Sequence, residues 1–289
     1  MIPHSFDYMR PQTLSDALQK IEHLTPQTEV AILAGGQSLL SALKQRRTKP
    51  NLIVDLGSIS DLSATREVPD GLEVGAMVRQ VDFAGHHFVH AHAPIFQDVA
   101  AAAGDPMIRR NGTLVGAFCE VDPRGDWVAA GLVQDAILEI SSLSGTRREP
   151  LESFAGKPRE SRLKRGELVT KCILNAAPAN SISAYRKCKH NAVGWSIAGV
   201  AVVLELDNER KCRAIKLAAA GATTFPQRLR ALELELQGVD LSDEDNLDRL
   251  IRPHLTALEF FGDSYASAGY REKRLAIQIR RTLAELTKS

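Results

Sequence analysis

The sequence predicts an α+β fold, in which strands and helices are mixed over the first 176 residues and antiparallel strands are followed by helices in the remainder. Apolar residues recur at helical spacing over 14–24 and again over 275–286, near the two ends. Residues 197–206 and 212–220 alternate like neighbouring antiparallel strands on either side of a short polar turn. Helices and strands that are segregated in this way are typical of α+β domains.

Residues 1–55 are predicted to form a compact βαβ-like unit. Thr13 precedes the first helical stretch and Asp16 follows three positions later, as in a capping box. A short buried strand is expected over 30–34, ending at Gly35-Gly36, followed by a helix marked by Leu39, Leu40 and Leu43 and a second strand over 52–56.

The rest of the chain divides near 176–180, because after Pro178 the sequence pattern changes to one of alternating strands. The middle segment, 56–176, is expected to contain strands at 72–76 and 139–143, helices at 78–89, 96–103 and 129–138, a turn plus buried strand at 111–118, and an exposed loop at 154–166. The last segment, 177–289, adds to its two strands three helices at 228–237, 246–255 and 270–286.

Composition excludes several classes of function. The 289 residues carry a formal net charge of +1, without the basic surface of a nucleic-acid binder. No apolar run approaches the ~18 residues that a membrane span needs, so a cytoplasmic protein is expected. The four cysteines lie far apart, and the spaced pair His86 and His90 is interpreted as polar helix surface, so no metal site is predicted in this chain.

The most informative segment is Ile32 to Leu40, which reads I-L-A-G-G-Q-S-L-L. A strand, paired glycines and then a helix bring several backbone N–H groups towards one anion, and Ser38 adds a hydroxyl donor. The segment is neither a Walker loop nor G-x-G-x-x-G. The residues alone leave two interpretations open, a phosphate-binding turn and a helix start that needs glycine for steric reasons.

A second segment runs from Gly104 to Asp126. Gly112 and Gly116 enclose another tight backbone passage, with a hydroxyl at Thr113. Asp122 and Asp126 have the spacing to accept hydrogen bonds from a ribose diol, although Asp-Pro-x-x-Asp also occurs as a turn and helix cap.

Together the two segments resemble the FAD-binding middle subunit of the molybdenum hydroxylases, the family of aerobic carbon monoxide dehydrogenase and xanthine dehydrogenase. The family's A-G-G-x-S-L-L turn matches residues 34–40, its T-I-G-G-N/D turn matches 113–117, and its A-D-P-x-x-D matches Asp122-Pro123 and Asp126. Weaker matches are 104–106, 166–170 and Tyr185-x-Lys187, so the resemblance covers nearly the whole chain.

The resemblance implies a two-part FAD-binding domain of the PCMH/VAO-like type, 1–55 with 56–176, and a C-terminal domain of antiparallel sheet and helices, 177–289. The resemblance also implies which residues form the site. The pyrophosphate is held by backbone around Leu33, Ala34, Gly35, Gly36, Gln37, Ser38 and Leu39, and around Thr113, Leu114, Val115, Gly116 and Ala117. A ribose is held by Asp126, with Asp122 the weaker candidate. Leu168 touches the flavin ring system, and Lys187 lies near the polar edge of that ring system. Trp195 either lies against the isoalloxazine or anchors the core.

Three positions depart from the family pattern. Val115 replaces the first glycine of the second turn, and a valine resists positive φ. Ala117 replaces a polar residue, and Gly194 replaces the aspartate that precedes the flavin-adjacent aromatic. Losing one charge-assisted hydrogen bond to a phosphate costs about 1.5–3 kcal/mol, so these departures predict FAD binding that is weakened or lost.

The function that the resemblance implies is electron transfer, with no catalytic residue for substrate in this chain. Electrons arrive from [2Fe-2S] clusters of a small partner subunit and pass to NAD, oxygen or a quinone-type acceptor. Substrate is oxidised at the molybdenum cofactor of a large partner subunit, and the assembly is a dimer of heterotrimers. Two alternatives remain: a flavin-free structural subunit of such a complex, and a stand-alone FAD oxidoreductase. The sequence determines neither the substrate nor the terminal acceptor.

Overall fold

The computed structural model describes residues 2–25, 27–69, 71–191 and 194–288. Contacts divide the chain into two compact units that are interleaved along the sequence. Unit 1 comprises 1–83, 106–120 and 137–174, and unit 2 comprises 84–105, 121–136 and 175–289. The α+β class is confirmed, whereas the division into three continuous domains, 1–55, 56–176 and 177–289, stays a prediction.

The strands are β1 (Asp7–Met9), β2 (Val30–Leu33), β3 (Leu52–Asp55), β4 (Thr65–Val68), β5 (Gly71–Gly75), β6 (Ile137–Ser142), β7 (Gly145–Pro150), β8 (Leu168–Asn175), β9 (Ser181–Lys189), β10 (Ser196–Leu206), β11 (Cys212–Ala220) and β12 (Gln227–Arg228). The helices are α1 (Leu14–Glu22), α2 (Leu39–Lys44), α3 (Gln80–Ala84), α4 (His87–His92), α5 (Ile95–Ala102), α6 (Pro106–Asn111), α7 (Leu114–Glu120), α8 (Asp126–Val133), α9 (Leu151–Gly156), α10 (Arg159–Arg162), α11 (Arg230–Glu235), α12 (Glu244–Leu255) and α13 (Ala268–Lys288), with a 3-10 turn at Ser60–Ser63.

Unit 1 begins with the predicted βαβ-like arrangement. Strands β1, β3 and β2 form a parallel sheet in that order, and α1 packs its buried Leu18 and Ile21 into a core with Val54. The Thr13 hydroxyl accepts a hydrogen bond from the N–H of Asp16 at 3.1 Å, which caps α1 as its sequence predicts. A second sheet of this unit has the order β4-β5-β8-β6-β7.

Unit 2 is built on an antiparallel sheet of order β12-β11-β10-β9. Strand β10 is buried along almost its whole length, because α13 packs on it and α5 and α8 pack against strands of the same sheet. The predicted face of α13 is confirmed, since Leu275, Ile279 and Leu283 are fully buried in the core of this unit.

Three predicted elements are wrong. Residues 111–118 form no strand, because Leu114, Val115 and Phe118 bury one face of helix α7. The expected loop at 154–166 begins inside α9, where Phe154 is 1% exposed, and contains α10. The helix expected over 78–89 is split into α3 and α4, because His86 is extended and its ring accepts the N–H of Phe88, so it does not share a helix face with His90.

Among the described residues, the longest helices carry too many charges and too little apolar sequence to cross a membrane.

Stability of unit 1 is expected to depend on pH through Glu167, which orders the turn before β8. Its carboxylate accepts two hydrogen bonds from Arg147, at 2.8 and 2.9 Å, and one from the N–H of Lys164. The bonds from Arg147 lower the pKa of Glu167 below its ordinary 4.5, so its stabilising contribution is present above that value and is lost as pH falls through the folded-state pKa.

We therefore expect Glu167→Gln to lower the melting temperature at about pH 7, with the difference from the unmodified chain shrinking as pH falls below 4.5. Glu160→Gln, at an exposed carboxylate of α10, serves as the control and leaves the pH profile unchanged. A melting difference that stays constant across this pH range would contradict the assignment.

Candidate functional site

The first glycine turn lies between β2 and α2, where the sequence predicts it. Gly36 has φ +73°, a left-handed conformation that favours glycine, and it is buried. The Gln37 side chain donates to the carbonyl oxygen of Gly35 at 3.1 Å, and the Ser38 hydroxyl makes no capping bond to α2. The turn therefore holds a compact backbone while Gln37 and Ser38 stay exposed.

The second glycine turn lies directly against the first, within unit 1. A Cβ placed on Gly35 would lie 2.5 Å from the carbonyl oxygen of Asn111, 2.8 Å from Cα of Gly112 and 3.0 Å from the nitrogen of Thr113. These are backbone atoms, which cannot move aside as the end of a flexible side chain does. Gly35 is thus required by the approach of two chain segments more than 70 residues apart in sequence.

A short segment from Val78 to Gln80 clamps the second turn from its other side. The N–H of Gln80 donates to the carbonyl oxygen of Gly112 at 2.8 Å, and the N–H of Leu114 donates to that of Val78 at 3.2 Å. The guanidinium of Arg79 donates to the carbonyl oxygen of Asn111. Sequence reasoning missed this segment. Arg79 and Gln80 belong to no motif, and their hydrogen bonds to 111–114 form only when the fold brings the two segments together.

The second turn differs from its expected conformation, and the difference explains Val115. The Thr113 hydroxyl accepts the N–H of Gly116 at 3.0 Å and so caps α7. Val115 is 1% exposed within that helix, and its φ is not positive. The expected conflict between valine and positive φ therefore does not arise, and its side chain belongs to the core of unit 1. Ala117 is half-buried in the same helix.

Leu168, the predicted flavin contact of unit 1, has its side chain in the hydrophobic core. It is 3% exposed and belongs to the same cluster as Leu18, Leu56 and Met77. This packing leaves only its backbone for the predicted contact with the flavin.

In unit 2 the structure brings together Asp126 and Lys187, which the sequence placed at different parts of the site. The Lys187 ammonium lies 2.7 Å from one Asp126 carboxylate oxygen and 2.9 Å from the carbonyl oxygen of Gly194. The Tyr185 hydroxyl donates to the other oxygen of Asp126. Burial raises the pKa of Asp126 above its ordinary value, while the charge of Lys187 opposes this shift.

These bonds change two expectations about the site. Each carboxylate oxygen of Asp126 already accepts a hydrogen bond and the side chain is 6% exposed, so a ribose hydroxyl there would share the carboxylate with Tyr185 and Lys187. Lys187 is also not an isolated side chain, because it forms an ion pair with Asp126; its place near the flavin's polar edge stays a prediction. Tyr185 was missed as a partner, although it stands two residues before Lys187 and so lies on the same face of β9.

Asp122 and Trp195 lie near the surface of unit 2 and are connected through Arg124. Asp122 accepts two hydrogen bonds from the Arg124 guanidinium, both at 3.0 Å. That guanidinium lies 3.9 Å from the ring centroid of Trp195, a cation–π distance, and the Tyr265 ring meets Trp195 edge-on at 5.4 Å. Trp195 is 41% exposed, so it is no core anchor.

Two positions of this region have positive φ, which is strained at one of them and not at the other. Val121, immediately before Asp122, has φ +48°, which is an outlier for a β-branched residue. Gly194, immediately before Trp195, has φ +71°, a conformation that favours glycine. The departure from the family pattern at this position therefore suits the backbone.

Comparison with known proteins agrees with this geometry. A family model described as the FAD binding domain in molybdopterin dehydrogenase matches residues 4–175. A second, described as the CO dehydrogenase flavoprotein C-terminal domain, matches residues 183–286.

Individual relatives match along nearly the whole chain. The carbon monoxide dehydrogenase medium chain of Afipia carboxidovorans is 29% identical over 283 residues, covering 98% of this chain and 97% of the relative. The alpha subunit of the 6-hydroxypseudooxynicotine dehydrogenase complex of Paenarthrobacter nicotinovorans is 27% identical over 285 residues, covering 99% and 95%. A solved structure, the reconstituted CO dehydrogenase from Oligotropha carboxidovorans, superimposes with a TM-score of 0.92 at 29% identity, covering 100% of this chain and 99% of the solved one. The first family model spans more than half of the sequence, and the chain therefore belongs to the FAD-binding subunits of the molybdenum hydroxylases, a family of oxidoreductases.

Proposed function

We propose that this chain is the electron relay of a molybdenum hydroxylase complex. It receives electrons from [2Fe-2S] clusters of a small partner subunit and passes them to NAD, oxygen or a quinone-type acceptor. Substrate is oxidised at the molybdenum cofactor of a large partner, and the complex is a dimer of heterotrimers. One relative is the medium chain of a carbon monoxide dehydrogenase, which supports membership of such a complex. Four free cysteines support a reducing, cytoplasmic location.

The observation that carries the proposal is the backbone contact between the two glycine turns of unit 1. A dinucleotide's diphosphate needs close approach of several backbone N–H groups, and side chains at these positions would prevent that approach. Gly35, Gly36 and Gly112 remove them, and the fold brings Gly35 and Gly112 together. The residues present thus fit FAD, with backbone of 33–39 and 113–117 holding the diphosphate. Within 113–117 the N–H groups of Leu114, Gly116 and Ala117 already donate inside unit 1, so the proposal assigns the diphosphate to those of Thr113 and Val115.

FAD, when bound, supplies reversible two-electron chemistry that can be divided into single-electron steps. The chain's own residues position it and set its electrostatic surroundings. Lys187 would lie near the flavin's polar edge as a cation that is already paired with Asp126 and bonded to the carbonyl oxygen of Gly194. Trp195 would offer the isoalloxazine an aromatic surface, and Arg124 and Tyr265 restrict how its ring rotates.

The flavin-free alternative loses part of its support. It depended on Val115, Ala117 and Gly194 as residues that oppose FAD binding. Val115 lies in a helix and Gly194 meets a backbone requirement, so only Ala117 still lacks a structural reason.

The relay role is tested by purifying the chain with its partners and measuring flavin absorbance and extracted FAD. We expect one FAD per copy of this chain. A complex that retains its iron–sulfur and molybdenum centres but contains no flavin would overturn the proposal.

The diphosphate cradle is tested by Gly35→Ala. The new methyl group would lie 2.5 Å from the Asn111 carbonyl oxygen, so the two turns must separate. Losing one charge-assisted hydrogen bond costs about 1.5–3 kcal/mol, so we expect FAD affinity to fall roughly tenfold to a hundredfold. Titration of the apoprotein with FAD measures it.

Gly156→Ala is the matched control for that variant. Gly156 also lies in unit 1, and nothing lies within 4 Å of the Cβ that would be added. It should bind FAD as the unmodified chain does. Equal affinities for the variants at Gly35 and Gly156 would show that the contact between the turns does not serve the cofactor.

The buried ion pair predicts a characteristic pattern of stabilities. Asp126→Asn leaves Lys187 unpaired with its side chain 3% exposed, and Lys187→Met leaves Asp126 unpaired. Removing one partner of a buried pair lowers the free energy of unfolding by about 3–5 kcal/mol. The double variant removes both charges and should recover most of that loss in urea denaturation. Lys211→Met, at the exposed pair with Glu209, is the control and should change stability by less than about 1 kcal/mol. A double variant as unstable as the sum of the two single ones would contradict the pairing.

A further inference from the structure

The aromatic pair Trp195 and Tyr265 on unit 2 is unusually well fixed for side chains near the surface. The two side chains are 41% and 39% exposed, yet their rings meet edge-on at 89°. The ring of His190 packs on that of Tyr265, with centroids 4.8 Å apart. The backbone N–H of His190 donates to the carbonyl oxygen of Trp195 at 2.9 Å. Exposed aromatic residues usually have rotational freedom, so something must hold the backbone that carries this pair.

Arg271, in the first turn of α13, reaches the backbone on the Trp195 side. Its side chain is only 1% exposed. One terminal nitrogen, Nη1, donates to the carbonyl oxygens of Ile197 at 3.0 Å and Ser196 at 3.4 Å, and also to that of Gly221. These bonds fix the start of β10, which directly follows Trp195.

The same guanidinium reaches the backbone on the Tyr265 side. Its second terminal nitrogen, Nη2, donates to Asp263 Oδ1 at 2.7 Å. That oxygen also accepts the N–H groups of Tyr265 at 2.9 Å and Ala266 at 3.0 Å. The turn that carries Tyr265 is thus built around the carboxylate that Arg271 holds.

Burying Arg271 is costly, which indicates a role beyond stability. Its charge is compensated by Asp263 and by the Phe261 ring, 4.1 Å from the guanidinium carbon. Apolar residues of similar volume often stabilise a fold as well as a buried ion pair does, or better. Apolar residues cannot supply a rigid planar guanidinium, whose N–H donors bind three carbonyl oxygens and a carboxylate at once.

We propose that Arg271 is a positioning residue, which fixes Trp195 and Tyr265 relative to each other so that Trp195 presents a constant surface to the flavin. The flavin part of this inference rests on the proposed function. The positioning part concerns only contacts within unit 2.

The experiment uses the full chain with Trp127→Phe, since the sequence has two tryptophans and Trp195 then remains the sole indole fluorophore. Acrylamide quenching of the flavin-free full chain reports the exposure of Trp195 and does not depend on the flavin part of the proposal. In this background we expect Arg271→Lys to raise the quenching constant by up to about twofold, because full release would take Trp195 from 41% to nearly complete exposure.

Arg228→Lys is the matched control in the same background. Arg228 is an equally buried arginine of unit 2, with its side chain 1% exposed, and it holds Glu233, Asp135 and the carbonyl oxygen of Leu132. It should lower the melting temperature comparably and leave Trp195 quenching unchanged. Unchanged quenching in Arg271→Lys, or an equal rise in both variants, would overturn the proposal.

Asp263→Asn keeps the test decisive if Arg271→Lys does not fold. This variant removes the negative charge that binds Arg271. The Asp263 side chain is 23% exposed, whereas that of Arg271 is 1% exposed, so the substitution is made at the less buried partner, and quenching should again rise. In the FAD-loaded complex, Arg271→Lys should slow flavin reoxidation and add nothing to Trp195→Ala. Raised quenching in a chain that binds no FAD would support the positioning role and refute the relay; raised quenching with unaltered reoxidation would refute only the link to the flavin.

Discussion

The structure of unit 1 depends on one contact between backbone and backbone, that of Gly35 with residues 111–113. Side chains can adjust to one another, but two backbones at this distance leave no room for a Cβ on Gly35. The contact therefore fixes where β2 ends and where α7 begins. The clamp at 78–80 acts on the same point, because it holds the carbonyl groups of Asn111 and Gly112.

Unit 2 follows a different rule, in which buried charges place the functional side chains. Lys187 is held between Asp126 and the carbonyl group of Gly194, and Arg271 is held between Asp263 and the start of β10. Each cation contacts a carboxylate and a backbone carbonyl next to Trp195 in sequence. Such arrangements are weak sources of stability, since desolvation offsets much of the attraction. They are strong sources of position, because a buried charge tolerates few alternative geometries.

Sequence reasoning succeeded where a local pattern has one structural solution. Thr13 with Asp16 predicts a cap, and the apolar face of 275–286 predicts a helix, because neighbouring residues alone decide these features. It failed at 111–118, where buried apolar residues suit a strand and a short helix equally well. Helix α7 forms because Thr113 caps it and its face is buried, and neither event can be read from periodicity over seven residues.

The sequence by itself determined the α+β class, the two glycine turns and the resemblance to a flavin-binding family, since these depend on residue types in a local order. Only the tertiary structure decided that the turns touch, that Asp126 pairs with Lys187, and that Val115 needs no positive φ. These facts involve residues that are tens of positions apart, and their free energies come from desolvation and close packing. Such terms exist only once the chain has folded, so no local pattern encodes them.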